Sequence, residues 1–267
     1  MEPDPVEAVK YARLSSWLPV FRGVERLEAS AERPRRLHIS AVRVDLQASG
    51  IAFLVTPSNG PAPRDVGART TSEFLSEFKC QVAINGSVFD QHAENRSDPM
   101  DVLGLSLSRG HRYSPPNRWD ALLIGTGGRA WIDLAPVGTR NAVNGLSGYY
   151  ALLVAGKNRG GMADLHPRTA VGISRDGRYL ILMTADGRQP GYSEGLTTAE
   201  AAEWMQRLGA YNALNMDGGG SSTLVMQGPG GKPELFNRPS GPPAGVERRV
   251  ANHLCVFAWA LKLKPAH

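Results

Sequence analysis

Apolar and polar residues alternate through residues 37–46, with Val42, Val44 and Leu46 on one side, and this period of two predicts a strand. A short apolar strand is expected at 51–55, followed by a Pro/Gly loop to residue 69. Thr70-Thr71-Ser72-Glu73 has the form of a capping box, and Phe74 and Phe78 stand four apart, so a helix is predicted over 71–79. The run 81–84 reads as a buried strand ending in the polar cluster Asn85-Gly86-Ser87. Further strands are expected at 103–107, 121–124, 129–134 and 151–155. Residues 169–174 and 178–184, joined by Arg175-Asp176-Gly177, form the clearest hairpin. A second capping box, Thr197-Thr198-Ala199-Glu200, opens a helix marked by Ala201, Trp204, Met205 and Leu208 and stopped by Gly209. Strands at 213–216 and 223–226, a turn at 228–233 and a long final strand at 250–263 complete the pattern. Residues 1–34 read as a lead-in whose Trp17, Val20, Phe21 and Val24 dock on the body; 91–100 is polar and expected to be mobile.

One stretch departs from simple alternation. Between the strands at 213–216 and 223–226 lie Asp217, three successive glycines (Gly218, Gly219, Gly220) and the hydroxyls of Ser221 and Ser222. Glycine runs weaken regular structure and suit places where φ is positive or a ligand approaches the backbone. Exposed amides beside a strand-end carboxylate can bind anionic or hydroxylated groups. The plain alternative is a hairpin turn, which two residues would serve as well.

Composition narrows the class. The chain has 267 residues, 42% hydrophobic and 21% charged, and so can bury a sizeable core as one large domain. Thirty glycines and nineteen prolines imply many turns and a strand-rich fold. The net charge of +5 rests mainly on arginine, whose planar fork matches carboxylate and phosphate. There is no dense basic run with interleaved aromatics, so nucleic acid is not an expected partner. No stretch is long and apolar enough to span a membrane. Residues 1–10 lack the apolar run of an export signal, which leaves a cytoplasmic protein or the mature part of an exported one. Cys80 and Cys255 lie in apolar settings; buried free thiols are the default reading, with a disulfide the alternative in an exported protein.

Familiar catalytic signatures are missing. There is no Gly-x-Ser-x-Gly elbow for Ser221 or Ser222, no phosphate-binding loop with its lysine and no EF-hand. His166 has no histidine partner at metal-ligand spacing. The candidate acids are Asp90, Asp186, Glu194, Asp217 and Glu247; the candidate cations are Arg168, Arg188, Arg238 and Arg248. Arginines set against strand-end carboxylates suit an anionic, sugar-like substrate, with ion pairs bracing loops as the alternative.

In order along the chain, Ile84-Asn85-Gly86-Ser87-Val88-Phe89, His166-Pro167-Arg168-Thr169-Ala170-Val171-Gly172, Asp186-Gly187-Arg188, Leu214-Asn215-Met216-Asp217-Gly218-Gly219-Gly220-Ser221-Ser222, Asn237-Arg238-Pro239 and Glu247-Arg248-Arg249 resemble the phosphodiester glycosidase family. The resemblance spans about residues 35–260 and is strongest at Asp-Gly-Gly-Gly-Ser-Ser. Val88 stands where an aromatic is usual and Met216 where leucine is usual. The family implies a single α/β (α+β) domain, at 35–264, built on a mixed, largely antiparallel β-sheet with a few helices. It implies a hydrolase cleaving a sugar-1-phosphodiester, with a glycan or sugar phosphate as partner. Asp217, Asp186 and Glu194 are then the expected catalytic carboxylates. Asn85, Arg168, Thr169, Arg188, Gly218, Gly219, Gly220, Ser221, Ser222, Arg238 and Arg248 are the expected substrate-binding residues. No cofactor is required; calcium or magnesium beside Asp217 is an option. Export and an extracellular or cell-surface glycan, such as a bacterial exopolysaccharide, are expected. An ordinary exo-glycosidase and a non-catalytic glycan-binding protein are the alternatives.

Overall fold

The structure is a computed structural model that describes residues 12–61, 64–90 and 99–261. The expectations for residues 1–10, and for 91–98 of the polar stretch, lie outside the described residues. Three sheets and two α-helices make up the regular structure among the described residues. The largely antiparallel character expected extends to every strand ladder among them.

The nine-stranded sheet is centred on the hairpin Arg168–Ser174 and Tyr179–Ala185. Leu37–Asp45 pairs with one side of the hairpin and Ala210–Asn215 with the other. The stretch read as a lead-in adds strands to this sheet: Val24–Ala31 runs along Leu37–Asp45, with Arg13–Leu14 and Leu18–Phe21 beside it. A five-stranded sheet carries Val82–Asn85 at its centre, between Leu224–Gln227 and His253–Phe257. The remaining five-stranded sheet includes Ala121–Gly125 and Ala142–Ser147.

Period-two alternation explains how the sheets stack. Val42, Val44, Leu180, Leu182, Val171 and Leu214 point into the central core, where they meet Val82, Ile84, Leu224 and Leu254 of the sheet carrying Val82–Asn85. Their sequence neighbours Ala41, Ile181, Met183, Ala170 and Ala213 face the other way, onto Trp204, Met205, Ala201 and Leu208. The first three belong to helix α2 (Thr198–Arg207) and Leu208 is its C-cap; the Thr197 capping box forms as expected. Helix α1 (Thr71–Phe78), capped by Thr70, lays Phe74 and Leu75 on Leu54, Ala83, Val225 and Cys255. Two central sheets are thus buried on both faces, and the ends of their strands are brought together.

Two expectations are corrected. The long final strand is five residues, His253–Phe257. Before it the chain is turned aside by Asn252, whose Oδ1 accepts from the Ser87 amide at 2.6 Å and whose side-chain amide donates to Ser87 and Ser106. Cys80 and Cys255 are joined in a disulfide, with Cα atoms 6.1 Å apart, in place of two free thiols. The bridge closes a loop of 175 residues behind helix α1. Closing so long a loop is worth about 3 to 5 kcal/mol in the chain-entropy picture. Reduction is therefore expected to lower Tm by roughly 10 °C. Thermal unfolding with and without reductant, with Cys80→Ser as control, checks this; an unchanged Tm would show that the bridge does not stabilise the fold.

Candidate active site

Asn85, the last residue of Val82–Asn85, is buried and draws the site together. Its side-chain N–H donates to the Asp217 carbonyl (2.8 Å), and its Oδ1 accepts from the Thr169 hydroxyl (2.8 Å) and the Thr223 amide (3.1 Å). The Asp217 amide returns a bond to the Gly86 carbonyl at 3.1 Å. One asparagine thereby fixes both ends of the glycine loop and the start of the hairpin. Asn85 and Thr169, expected to bind substrate, hold the loop from beneath and are not among the residues that line the cavity.

The loop is a short 3-10 turn, Gly219–Ser221. Gly219 has φ of +60°, and a Cβ there would lie 3.0 Å from Arg188 Nη1. On Gly218 a Cβ would meet the Pro167 carbonyl at 2.8 Å, and on Gly220 it would touch the Arg248 side chain. Glycine lets the backbone pack directly against two guanidinium groups.

Above the loop is a cavity of about 420 Å³. Asp217, Gly218, Gly219 and Gly220 form one wall; Arg168, Arg188 and Arg248 form the charged rim, with His166 among them. Val88, Phe89, Met162, Tyr149 and Tyr150 provide the apolar surface, and Asn215 and Met216 the base. Arg168 is only 5% exposed. Its guanidinium donates to the carbonyls of Leu196 (2.9 Å) and Asp164 (2.7 Å), so it enters the cavity in a fixed pose. Burial lowers its pKa from the usual arginine value, and the Arg188 charge adds to this against the opposing pull of Asp164. Arg188 has φ of +56°, a strained value for a side-chain-bearing residue. It donates from Nε (3.4 Å) and Nη2 (3.2 Å) to His166 Nδ1. Burial first, then Arg188 and Arg168, pushes the His166 pKa down. Arg248 spans Asp217, at 3.7 Å from its carboxylate, and the Phe89 ring, at 5.1 Å from its centroid.

Asp217 is the carboxylate of the cavity. Burial raises its pKa; the Ser221 hydroxyl, Arg248 and the Gly218 amide hold it down in part. Ser221 and Ser222 are buried behind the loop; the Ser221 hydroxyl is near enough to Asp217 to favour its charged form, but neither hydroxyl reaches full hydrogen-bond geometry among the described residues.

Asp186, Glu194 and Arg238 do not line the cavity, contrary to expectation. Asp186 is 3% exposed and accepts from the Tyr192 hydroxyl (3.0 Å), the Asn237 amide (2.8 Å) and the Arg238 backbone N–H (3.1 Å). Arg238 itself is exposed and stacks on Tyr192. Glu194 is exposed and is held through its backbone, to Arg36 and Arg188. Glu247 accepts from the Ser72 amide in the first turn of α1, and Asp90 also lies off the cavity wall. No group of three or more His, Cys, Asp or Glu that could hold a metal exists among the described residues. Asp217 faces Arg248, a poor setting for calcium or magnesium.

Tyr149 and Tyr150 were not singled out in the sequence. Gly148 presses on Asn215, where a Cβ would sit 2.3 Å from its carbonyl oxygen, and this lays the two tyrosines along the strand end. The Tyr149 amide donates to the Asn215 carbonyl (2.8 Å), and the Asn215 amide to that of Tyr150 (3.1 Å). A glycine followed by two tyrosines in a polar loop was the available signal.

The fold and site define a pocket in which three arginines stand beside a buried carboxylate and an aromatic wall. The model of the phosphodiester glycosidase family matches residues 78–257, and the chain belongs to that family. Over 61 residues it is 48% identical to the mouse N-acetylglucosamine-1-phosphodiester alpha-N-acetylglucosaminidase and 43% identical to the human one. Each match covers 23% of this chain and 11% of the curated relative. Among solved structures, the zebrafish catalytic domain of that name, auto-inhibited by its pro-peptide, is similar with a TM-score of 0.67 at 22% identity, covering 92% of this chain and 88% of the other. A hypothetical protein from Synechocystis is similar with a TM-score of 0.69 at 16% identity, covering 90% and 64%. At such identities these likenesses concern the fold.

Proposed function

We propose that the protein hydrolyses a sugar-1-phosphodiester, of the N-acetylglucosamine-1-phosphate type, in an extracellular or cell-surface glycan. The observation that carries this reading is the convergence of Arg168, Arg188 and Arg248 on the cavity that holds Asp217. The bond that breaks joins the anomeric carbon to the bridging phosphate oxygen. The phosphate monoester leaves as an anion, and the arginines stabilise the charge it gains. Asp217 acts at the anomeric carbon, as nucleophile or as base for the attacking water. Water supplies hydroxyl to the sugar and its proton to the departing side. A phosphate leaves without strong acid help, so Asp217 needs no second carboxylate in the cavity. The Cys80–Cys255 bridge supports export, since disulfides persist in oxidising compartments. No helix among the described residues is long and apolar enough to cross a membrane.

The test compares sugar-1-phosphodiesters with aryl glycosides of the same sugar. The phosphodiester is expected to be turned over with the higher kcat/KM. Arg188→Gln should lower kcat/KM on it by about 10²-fold or more, with a much smaller effect on the aryl glycoside. Equal losses on both would remove phosphate binding from Arg188 and favour an ordinary exo-glycosidase. Glycan binding without turnover across the panel would favour a binding protein.

A further inference from the structure

Asn215 is the last residue of the strand Ala210–Asn215, directly opposite Ala170 of the hairpin. Side chains alternate along a strand, so it shares a face with Ala213 and lies beside Arg168, two residues from Ala170. The residue is 2% exposed and lies in the cavity wall with Tyr149, Tyr150, Met162 and Arg168. Its backbone is fully engaged with Tyr149 and Tyr150. Its side chain is not: Oδ1 is buried with no hydrogen-bond partner among the described residues. A buried carboxamide oxygen without a donor carries a desolvation penalty that a folded chain rarely leaves standing. Asn85, by contrast, occupies the equivalent strand end in the neighbouring sheet and saturates its Oδ1 with two protein donors.

We propose that Asn215 is a specificity residue that pairs with the sugar, its Oδ1 accepting a hydrogen bond from an O–H or N–H substituent of the ring. This rests on the reading of the cavity as a sugar-phosphate site and deepens it. The terminal torsion of asparagine is soft, so a turn about χ2 presents the oxygen to the cavity. Met162 and Tyr150 line the same cavity and offer apolar surface to the ring. Arg168 lies on the same face, so a sugar whose phosphate it holds would bring a ring substituent within reach of Asn215. A pocket built to receive a donor rejects the analogue that lacks it far more strongly than a purely apolar pocket rejects a missing methylene.

The test uses the whole chain and a series of sugar-1-phosphates, each with one ring substituent replaced by hydrogen: the hydroxyls in turn, and the acetamido group against hydroxyl and hydrogen at the same carbon. Binding is measured by calorimetry for the wild type, Asn215→Leu and Asn215→Asp. In the wild type, removal of one particular donor is expected to weaken binding by about 10²-fold. Asn215→Leu should bind that analogue and its parent equally, while Tm holds or rises, because an unpaired buried acceptor has been removed. Asn215→Asp keeps an acceptor and should keep the discrimination. The proposal is overturned if Asn215→Leu leaves every discrimination intact, or if it lowers Tm by several degrees with no change in selectivity, the mark of a purely structural role. Binding keeps this independent of catalysis. Wild type that binds selectively but turns over no phosphodiester would sink the proposed reaction alone; wild type that binds no sugar phosphate would sink both.

Discussion

Asp217→Asn is expected to lower kcat on a sugar-1-phosphodiester by about 10³-fold or more, with KM changed much less. The substitution keeps shape and removes charge. Asp217 is the carboxylate of a cavity otherwise charged by three arginines, and its side chain is 14% exposed. Its ion pair with Arg248, at 3.7 Å, is loose enough to yield when a phosphate arrives. The backbone of Asp217 is held by Asn85 and Gly86 and does not depend on the carboxylate, so the variant should fold. The sign of the pH dependence follows from burial, the largest cause acting on this group. With the pKa raised, the ionised form is lost at a higher pH than for an ordinary aspartate as the solution is acidified. The acid limb of kcat/KM should therefore fall above the usual carboxylate range, and Arg248→Gln should shift it further up. Steady-state kinetics from pH 4 to 9 on the purified variants check both points. Turnover of Asp217→Asn within about tenfold of wild type would remove Asp217 from the chemistry.

Much of the scaffold was legible because single-residue physics dictates it. The two capping boxes, the hairpin turning at Gly177 and the alternation of Val42 and Val44 need only local rules, and each is present. The glycine loop was legible as a site because its composition exceeds what a turn requires. What the sequence concealed depends on partners far along the chain. Asp186-Gly187-Arg188 and Asp217-Gly218 look alike as strand-end acids followed by glycine. Only the position of Asn237, fifty-one residues from Asp186 in the chain, separates a bracing carboxylate from one in the cavity. That Asn85 has its oxygen occupied by Thr169 and Thr223 is likewise invisible in the sequence. The final strand was overestimated because alternation continues past the point where Asn252 takes Ser87 instead of the ladder.

Asp186→Ala should cost about 3 kcal/mol or more, a fall in Tm of roughly 6 to 12 °C, while the folded enzyme keeps kcat/KM within about tenfold. The carboxylate collects the Tyr192 hydroxyl, the Asn237 side-chain amide and the Arg238 backbone N–H. Alanine would leave those donors without their acceptor inside the protein, the costly half of a broken hydrogen bond. Asn237 also donates to the Ser222 carbonyl (3.1 Å) and accepts from the Leu224 amide (2.7 Å). Loosening it would soften the far end of the glycine loop, which accounts for the modest kinetic loss allowed. Burial pushes the Asp186 pKa up to about 6, against the opposing pull of its three donors. Between the ordinary carboxylate pKa and that value, the folded chain holds a proton that the unfolded chain has lost. This contribution to stability is thus full in acid, declines as pH rises towards 6 and is flat above it. Asp186→Asn, which does not titrate, should lack that slope. Thermal unfolding from pH 4 to 8, with kinetics on the same samples, distinguishes the roles. A variant with unchanged Tm and abolished turnover would make Asp186 a second catalytic carboxylate; the expected loss of stability with retained chemistry makes it the brace that sets the loop beneath Asp217.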